Sequence, residues 1–454
     1  MMLTLALAGC GTTPGGNEET KENQNMEHET AGAVALARYP VQAKYPTEDD
    51  FKDNKGYVDY DAYDKAMNEW RQKNREASEN FTRYYYGGEM DVLVRGLAKE
   101  LLADSKNDNV ICSPVNIYMA LAMLAEVTDG DTRKEVLDVL GTDSIDELRD
   151  LATRIWLSAY LEDGVSSEIL ASSIWLRDDM SYKKDALEKL AEIYYASSFA
   201  GQMGSKEYDK QLQDWINEQT GGLLEQQASG LHFDPQTIMG IAATIYFKEK
   251  WDGTFLEEYT APRTFHGKNG DEETDFMNGG ETAAYYWTDN FSATTKYFQK
   301  NGGMTFILPD EGITPEELMT DETFLKFVCG DKEAVNGSRV LVCLSVPKFD
   351  VDSDRELIPT LSKLGITGVF DNNADFTPLS DQPGIFVSKV EHAARVKIDE
   401  EGCEAAAYTV MMMETTAMEP QDKVDFVLDR PFIFVINDTN GMPLFIGIVN
   451  TVQK

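Results

Sequence analysis

The sequence predicts an α+β fold, with many strands and several amphipathic helices around one large core. Three observations predict it. Apolar runs of strand length recur along the chain, segments of helical periodicity stand between them, and no repeat, coiled coil or membrane-spanning stretch interrupts the pattern. The 454 residues are 42% apolar and 10% aromatic, enough to bury a sizeable core.

Taken in order, Met1 to Ala8 are almost wholly apolar and run into Leu7-Ala8-Gly9-Cys10. This stretch is too short to span a bilayer and reads as the tail of a secretory signal over residues 1–9, although the usual basic start is missing. Leu-Ala-Gly-Cys resembles a bacterial lipobox, which implies lipidation at Cys10, an extracellular location and membrane contact only through that anchor. Residues 10–30 are rich in Gly, Thr, Asn and Glu and suit a flexible tether. Residues 31–84 form an N-terminal extension, with a helix over 59–79 that sets Tyr63, Met67 and Trp70 on one face.

Residues 85–454 read as a single domain. Val92, Leu93, Gly96, Leu97 and Leu101 fit an amphipathic helix. Ser113 and Pro114 are a good N-cap and first-turn residue for a long apolar helix running to Leu124. Another helix covers 132–140 and stops at Gly141. Segments 168–177, 238–247, 304–308 and 340–346 read as buried strands, and 182–195 and 208–219 as helices. Residues 433–436 and 444–449, joined by Asn437-Asp-Thr-Asn-Gly441, read as a hairpin.

Lys and Arg total 41 against 79 Asp and Glu, a net charge of −38. That surface repels phosphate backbones, so nucleic acid is excluded as a partner, and it favours encounter with cationic proteins. Cys112, Cys329, Cys343 and Cys403 show no CxxC spacing and read as free thiols, with neither a metal site nor a cofactor implied. The four histidines lie in no HExxH motif, and no GxSxG, P-loop or dinucleotide fingerprint accompanies a strand-to-helix turn, which argues against an enzyme.

The ordered blocks resemble one family. Asn109-Val-Ile-Cys-Ser-Pro-Val-Asn-Ile117 with Ala120-Leu-Ala-Met-Leu124, Trp215-Ile-Asn-Glu-Gln-Thr-Gly221 and Ile245-Tyr-Phe-Lys-Glu-Lys-Trp251 come first. Leu308-Pro-Asp-Glu-Gly312, Val346-Pro-Lys-Phe349, Val390-Glu-His-Ala393, Asp399-Glu-Glu-Gly402 and Arg430-Pro-Phe432 follow in the same order. Together they are similar to the serpins, inhibitors of serine proteases. The resemblance implies three β-sheets, about nine helices and an exposed reactive-centre loop. It also implies that the loop, once cut, becomes a central strand of the main sheet and traps the protease covalently.

The residues of that loop suit the task. No Pro lies between Gly402 and Glu419, and a central strand tolerates none. With Cys403 facing inward, the inward set is Cys403, Ala405, Ala407, Thr409, Met411, Met413 and Thr415, all uncharged, while Glu404 and Glu414 take the other face. The hinge is Glu400, Glu401, Gly402, Cys403, Glu404, Ala405, Ala406 and Ala407; its small side chains displace little, and Gly402 gives the backbone freedom to turn. Counting fourteen positions from Gly402, as the family does, puts the reactive bond at Thr416–Ala417. A small residue there suits the shallow pocket of an elastase-like protease, and Met411 to Met413 suit a chymotrypsin-like or subtilisin-like one.

The resemblance also implies supporting residues. Lys348 and Glu400 should pair beside Trp251 at the breach, where insertion begins. Ser113, Asn116 and His392 should form the shutter under the sheet centre, with Asn116 supplying an amide where the family has Asn and this chain has Ala243. The expected protein is a monomer. The alternative function is a non-inhibitory serpin, acting as a carrier, chaperone or surface interaction lipoprotein.

Overall fold

The computed structural model describes residues 32–79, 86–403 and 422–452. The chain runs β1 (Ala33–Ala35), α1 (Tyr60–Glu79), α2 (Asp91–Glu100), β2 (Val110–Cys112), α3 (Pro114–Glu126), α4 (Gly130–Leu140) and α5 (Ile145–Ala159). Then come β3 (Leu161–Glu162), β4 (Ser167–Arg177), α6 (Lys184–Ile193), β5 (Ala196–Gly201), α7 (Lys206–Gln219), α8 (Glu225–Ala228) and β6 (Met239–Lys250). The third stretch holds β7 (Ala261–Gly267), β8 (Gly270–Trp287), β9 (Phe291–Tyr297), β10 (Gly303–Pro309), α9 (Pro315–Leu318), α10 (Glu322–Val328) and β11 (Asn336–Pro347). The last holds β12 (Phe349–Glu356), α11 (Ile358–Leu364), β13 (Glu391–Ile398), β14 (Gly402–Cys403), β15 (Lys423–Val427), β16 (Phe432–Asn437) and β17 (Pro443–Val449).

Two hydrogen-bonded sheets result among the described residues. The main sheet is ordered β1-β5-β4-β6-β14-β13-β12, and the second β15-β11-β8-β9-β10-β16-β17-β2. Two sheets appear where three were expected because β8 serves both halves of the second. It pairs with β7 up to Phe276, with β11 from Phe276 to Trp287 and with β9 over its last three residues. Eleven α-helices are described, of which α8 and α9 are single turns and α1 lies in the extension.

Local chemistry explains the helices that frame the site. Ser113 Oγ accepts the Asn116 N–H at 3.2 Å and Pro114 sits in the first turn, so α3 starts where its cap residues predict. Helix α3 is buried on nearly every side, in the centre of the main core. Gly141 ends α4 at φ +70°, in the left-handed region that favours glycine. Helix α7 lays Leu212, Trp215 and Ile216 over the main sheet, around Trp175 and Phe199.

The extension joins the sheet. Strand β1 pairs antiparallel with β5, Tyr39 packs on Trp156 at 5.2 Å, and Met67 of α1 is buried. Trp70 donates its indole N–H to the Ala43 carbonyl at 3.1 Å. Among the described residues, no helix is long and apolar enough to cross a membrane.

Candidate functional site

Among the described residues, the main sheet carries an open slot. Strand β14 lies between β6 and β13 but is only two residues long. Gly402 and Cys403 pair with Lys250 and Glu249 of β6, and Cys403 with Ile398 of β13. Below that point β6 pairs with β4 on one side, and among the described residues no strand pairs its other edge. A cavity of about 520 Å³ lies there, lined by Gly240, Ala242, Ala243 and Thr244 of β6, Ala393 of β13 and Ile216 of α7. Gly240, Ala242 and Ala243 are small and leave room for a further strand, beside the larger Met239 and Ile241. Unpaired strand backbone is a template for such a strand.

The head of the slot is a tight turn over 399–402. Asp399 Oδ1 accepts the N–H groups of Glu401 at 2.9 Å and Gly402 at 3.3 Å. Trp251 donates its indole N–H to the Asp399 carbonyl at 2.9 Å and stacks on Phe298 at 4.7 Å. Lys348 Nζ lies 2.7 Å from Glu400 Oε1, which also accepts the Thr260 hydroxyl at 2.7 Å. Burial pushes the Glu400 carboxyl up, but Lys348 and Thr260 outweigh it and hold the group below the usual carboxylate range.

Gly402 has a different reason from the one its sequence context suggests. It is not among the positive-φ glycines, so the turn does not require glycine for its dihedrals. A Cβ at this position would stand 2.1 Å from the Glu249 carbonyl oxygen, so glycine is required by the close approach of β6. Cys403 is buried and faces the core, the inward parity that the strand pattern predicts.

The middle of the slot is bridged from below by the start of α3. The Ser113 N–H donates to His392 Nε2 on β13 at 3.1 Å. The Asn116 amide donates to the Ala243 carbonyl on β6 at 3.1 Å. One helical turn therefore holds a strand on each side of the slot. His392 is fully enclosed, and burial lowers its imidazole from 6.5 to about 4, so it is neutral with Nε2 as acceptor.

The structure thus brings Lys348, Glu400 and Trp251 together at the head, and Ser113, Asn116 and His392 at the middle. Glu404, Ala405, Ala406, Ala407, Thr416, Ala417 and Cys10 lie outside the described residues. Sequence reasoning assigned no role to Thr260, Asp399 or Phe298. A carboxylate three residues before a glycine is the signal of a side-chain-capped turn and marks Asp399; Thr260 and Phe298 arrive from distant segments with no local signal. Among the described residues no two cysteines form a disulfide. No three His, Cys, Asp or Glu side chains among the described residues are placed to share a metal ion.

Comparison with known proteins agrees with this architecture. The family model for serpins, serine protease inhibitors, matches residues 92–452. Serpin-ZX of Arabidopsis thaliana is 29% identical over 377 residues, covering 78% of this chain and 95% of its own. Alpha-1-antiproteinase 2 of Equus caballus is 26% identical over 373 residues, covering 79% of this chain and 85% of its own. The crystal structure of the thermophilic serpin tengpin in its native state is 28% identical, with a TM-score of 0.72 over 80% of this chain and 93% of that one. The latent state of tengpin gives a lower TM-score, 0.67.

Proposed function

Because this chain belongs to the serpin family, whose members are in general inhibitors of serine proteases and not catalysts, we propose that it is a suicide-substrate inhibitor that traps its protease by loop insertion. The observation that carries the reading is the slot: β14 already pairs the first loop residues between β6 and β13, above a β6 edge with no strand partner among the described residues. The chemistry belongs to the protease. Its serine attacks the Thr416 carbonyl, the Thr416–Ala417 bond breaks, the Ala417 amine leaves with the departing proton, and an ester joins inhibitor to enzyme.

Insertion then competes with hydrolysis of that ester. Fourteen inserted residues extend roughly 45 Å, at about 3.3 Å each. About twenty new ladder bonds at roughly 0.5–1.5 kcal/mol each supply on the order of 10–30 kcal/mol. A displacement near 1 Å within a protease active site slows its chemistry about 10²-fold. The small residues at Thr416 and Ala417 favour an elastase-like target, and the acidic surface favours a basic one. Lipidation at Cys10 would display the inhibitor at a bacterial cell surface, with the extension, whose β1 pairs with β5, leading from the tether into the main sheet.

The test is incubation with pancreatic elastase. The expected products are an SDS-resistant complex of the summed masses less the C-terminal peptide, and that peptide itself, beginning at Ala417. Cleavage at that bond without a complex would overturn trapping and leave a non-inhibitory serpin.

A further inference from the structure

A second feature of the slot lies beneath its head, and neither the trapping mechanism nor the ion pair at Glu400 uses it. Glu249 of β6, in register with Cys403 of β14, is 2% exposed and points into the core. Four elements meet around Glu249 and its neighbour Glu168. The turn before β4 brings Asp163 and Ser166, and β4 itself brings Glu168. The β9–β10 turn supplies Lys300 and Asn301, and the β16–β17 turn supplies Asp438. Of these four carboxylates Asp163 holds the lysine, with Lys300 Nζ 2.6 Å from its Oδ2 and 3.6 Å from the centre of the Tyr45 ring.

The hydrogen bonds are unevenly shared. Asp163 accepts the Val165 and Ser166 N–H groups, and Asp438 accepts those of Asn440 and Met442. Glu168 takes the Asn301 amide on one oxygen, while its other oxygen meets no donor among the described residues. Neither carboxylate oxygen of Glu249 meets a well-placed donor there, and the Ser166 hydroxyl only partly offsets its burial. An ionised carboxylate in such a place is costly and a neutral one is not.

We propose that this cluster is a pH-sensitive latch on the insertion slot: with Glu249 protonated the head of β6 is held shut, and its ionisation loosens the edge to which the loop pairs. Burial pushes the Glu249 carboxyl up to about 7, with Asp163 adding to the rise and Ser166, Lys300 and the Lys250 backbone opposing it. Burial also raises Glu168 well above its ordinary value and raises Asp438. For an acid raised in the folded state, stability is fully present below its unfolded value near 4.5 and is lost as pH rises through about 7. The latch therefore opens within the range around neutrality.

The effect on loop insertion rests on the inhibitor reading; the effect on stability does not. The full chain and Glu249→Gln are unfolded in urea at pH 6 and pH 8, and their rates of conversion to a heat-resistant, loop-inserted form are followed at both. Between pH 8 and pH 6 the wild-type folding constant is expected to gain roughly tenfold relative to the variant. Conversion should slow on acidification in the wild type and show a smaller change in the variant. A wild-type-to-variant stability ratio that is the same at both pH values overturns the latch. A ratio that changes with pH in a chain that never inserts its loop upholds the latch and overturns the inhibitor reading. Should Glu249→Gln not fold, Asp163→Asn decides: it keeps an oxygen for the turn N–H groups and removes a charge facing Glu249, so the pH midpoint should fall, and an unmoved midpoint overturns the proposal.

Discussion

The two ends of the slot are held by opposite kinds of contact. At the head, the charged pair Lys348–Glu400, with Thr260 and the Trp251 indole, fixes a turn whose strand is already in the sheet. In the middle, two neutral hydrogen bonds from the first turn of α3 reach to strands on either side. Head contacts anchor β14 from outside the main sheet, through residues that need not move for the strand to lengthen. Middle contacts cross beneath the gap, so parting the strands must lengthen one of them. Each is worth roughly 0.5–1.5 kcal/mol net, small enough to break as a strand zips past. The slot is thus firm where insertion begins and weakly pinned where it continues.

The largest effect is expected at Gly402, where the head pairs with β6. Gly402→Val puts a Cβ against the backbone oxygen of Glu249, 2.1 Å away, and no rotamer relieves a backbone contact. Overpacking of this kind costs about 1–3 kcal/mol or more, and here it falls on the pairing of β14 with β6. The expected outcome is a protein that is still cut in its loop but gains no heat resistance on cutting. Thermal unfolding before and after nicking measures it. A gain equal to the wild type's would show that the head does not have to pair first.

Much of this arrangement is legible in the sequence because its signals are local or ordered. The Ser113-Pro114 start of α3, the inward parity of Cys403 and the pairing of Lys348 with Glu400 follow from cap chemistry, strand periodicity and the family blocks. Strand β8 was not legible. Its sequence is acidic, polar and broken by Gly279-Gly280, yet it forms 18 residues of strand because β7, β9 and β11 supply its hydrogen bonds from distant segments. The same holds for Glu249 and Glu168. Each looks like an ordinary charge in a strand, and only the convergence of two turns from the second sheet makes them buried neighbours. The reason for Gly402 was hidden likewise, since a close approach of another strand leaves no trace in nearby residues.

A smaller effect is expected at the middle. Asn116→Ala removes the amide from the Ala243 carbonyl and leaves that oxygen buried without its donor. Such a loss costs about 1–3 kcal/mol. The urea midpoint of the uncut protein should fall, and spontaneous insertion should quicken, because one of the two bonds across the gap is gone. A variant as stable as the wild type would mean that Asn116 does not stand in for the asparagine absent at Ala243.

His392 gives the smallest effect, and its sign separates the two regions. The imidazole is lowered from 6.5 to about 4 by burial, and protonation at Nε2 would also break the bond from the Ser113 N–H. Its stabilising contribution is complete above about 6.5 and is lost as pH falls toward about 4. Glu249 behaves in the reverse sense, since acid strengthens its side of the slot. At pH 6 the His392 loss stays under about 1 kcal/mol, because that pH lies only half a unit below the unfolded value of 6.5. His392→Gln keeps an acceptor for the Ser113 N–H and cannot ionise, so it should flatten the fall in urea midpoint between pH 6.5 and pH 4. An unchanged slope would mean that the acid sensitivity arises elsewhere. Because Glu249→Gln removes the gain on acidification and His392→Gln removes the loss, the two variants should bend the stability curve in opposite directions.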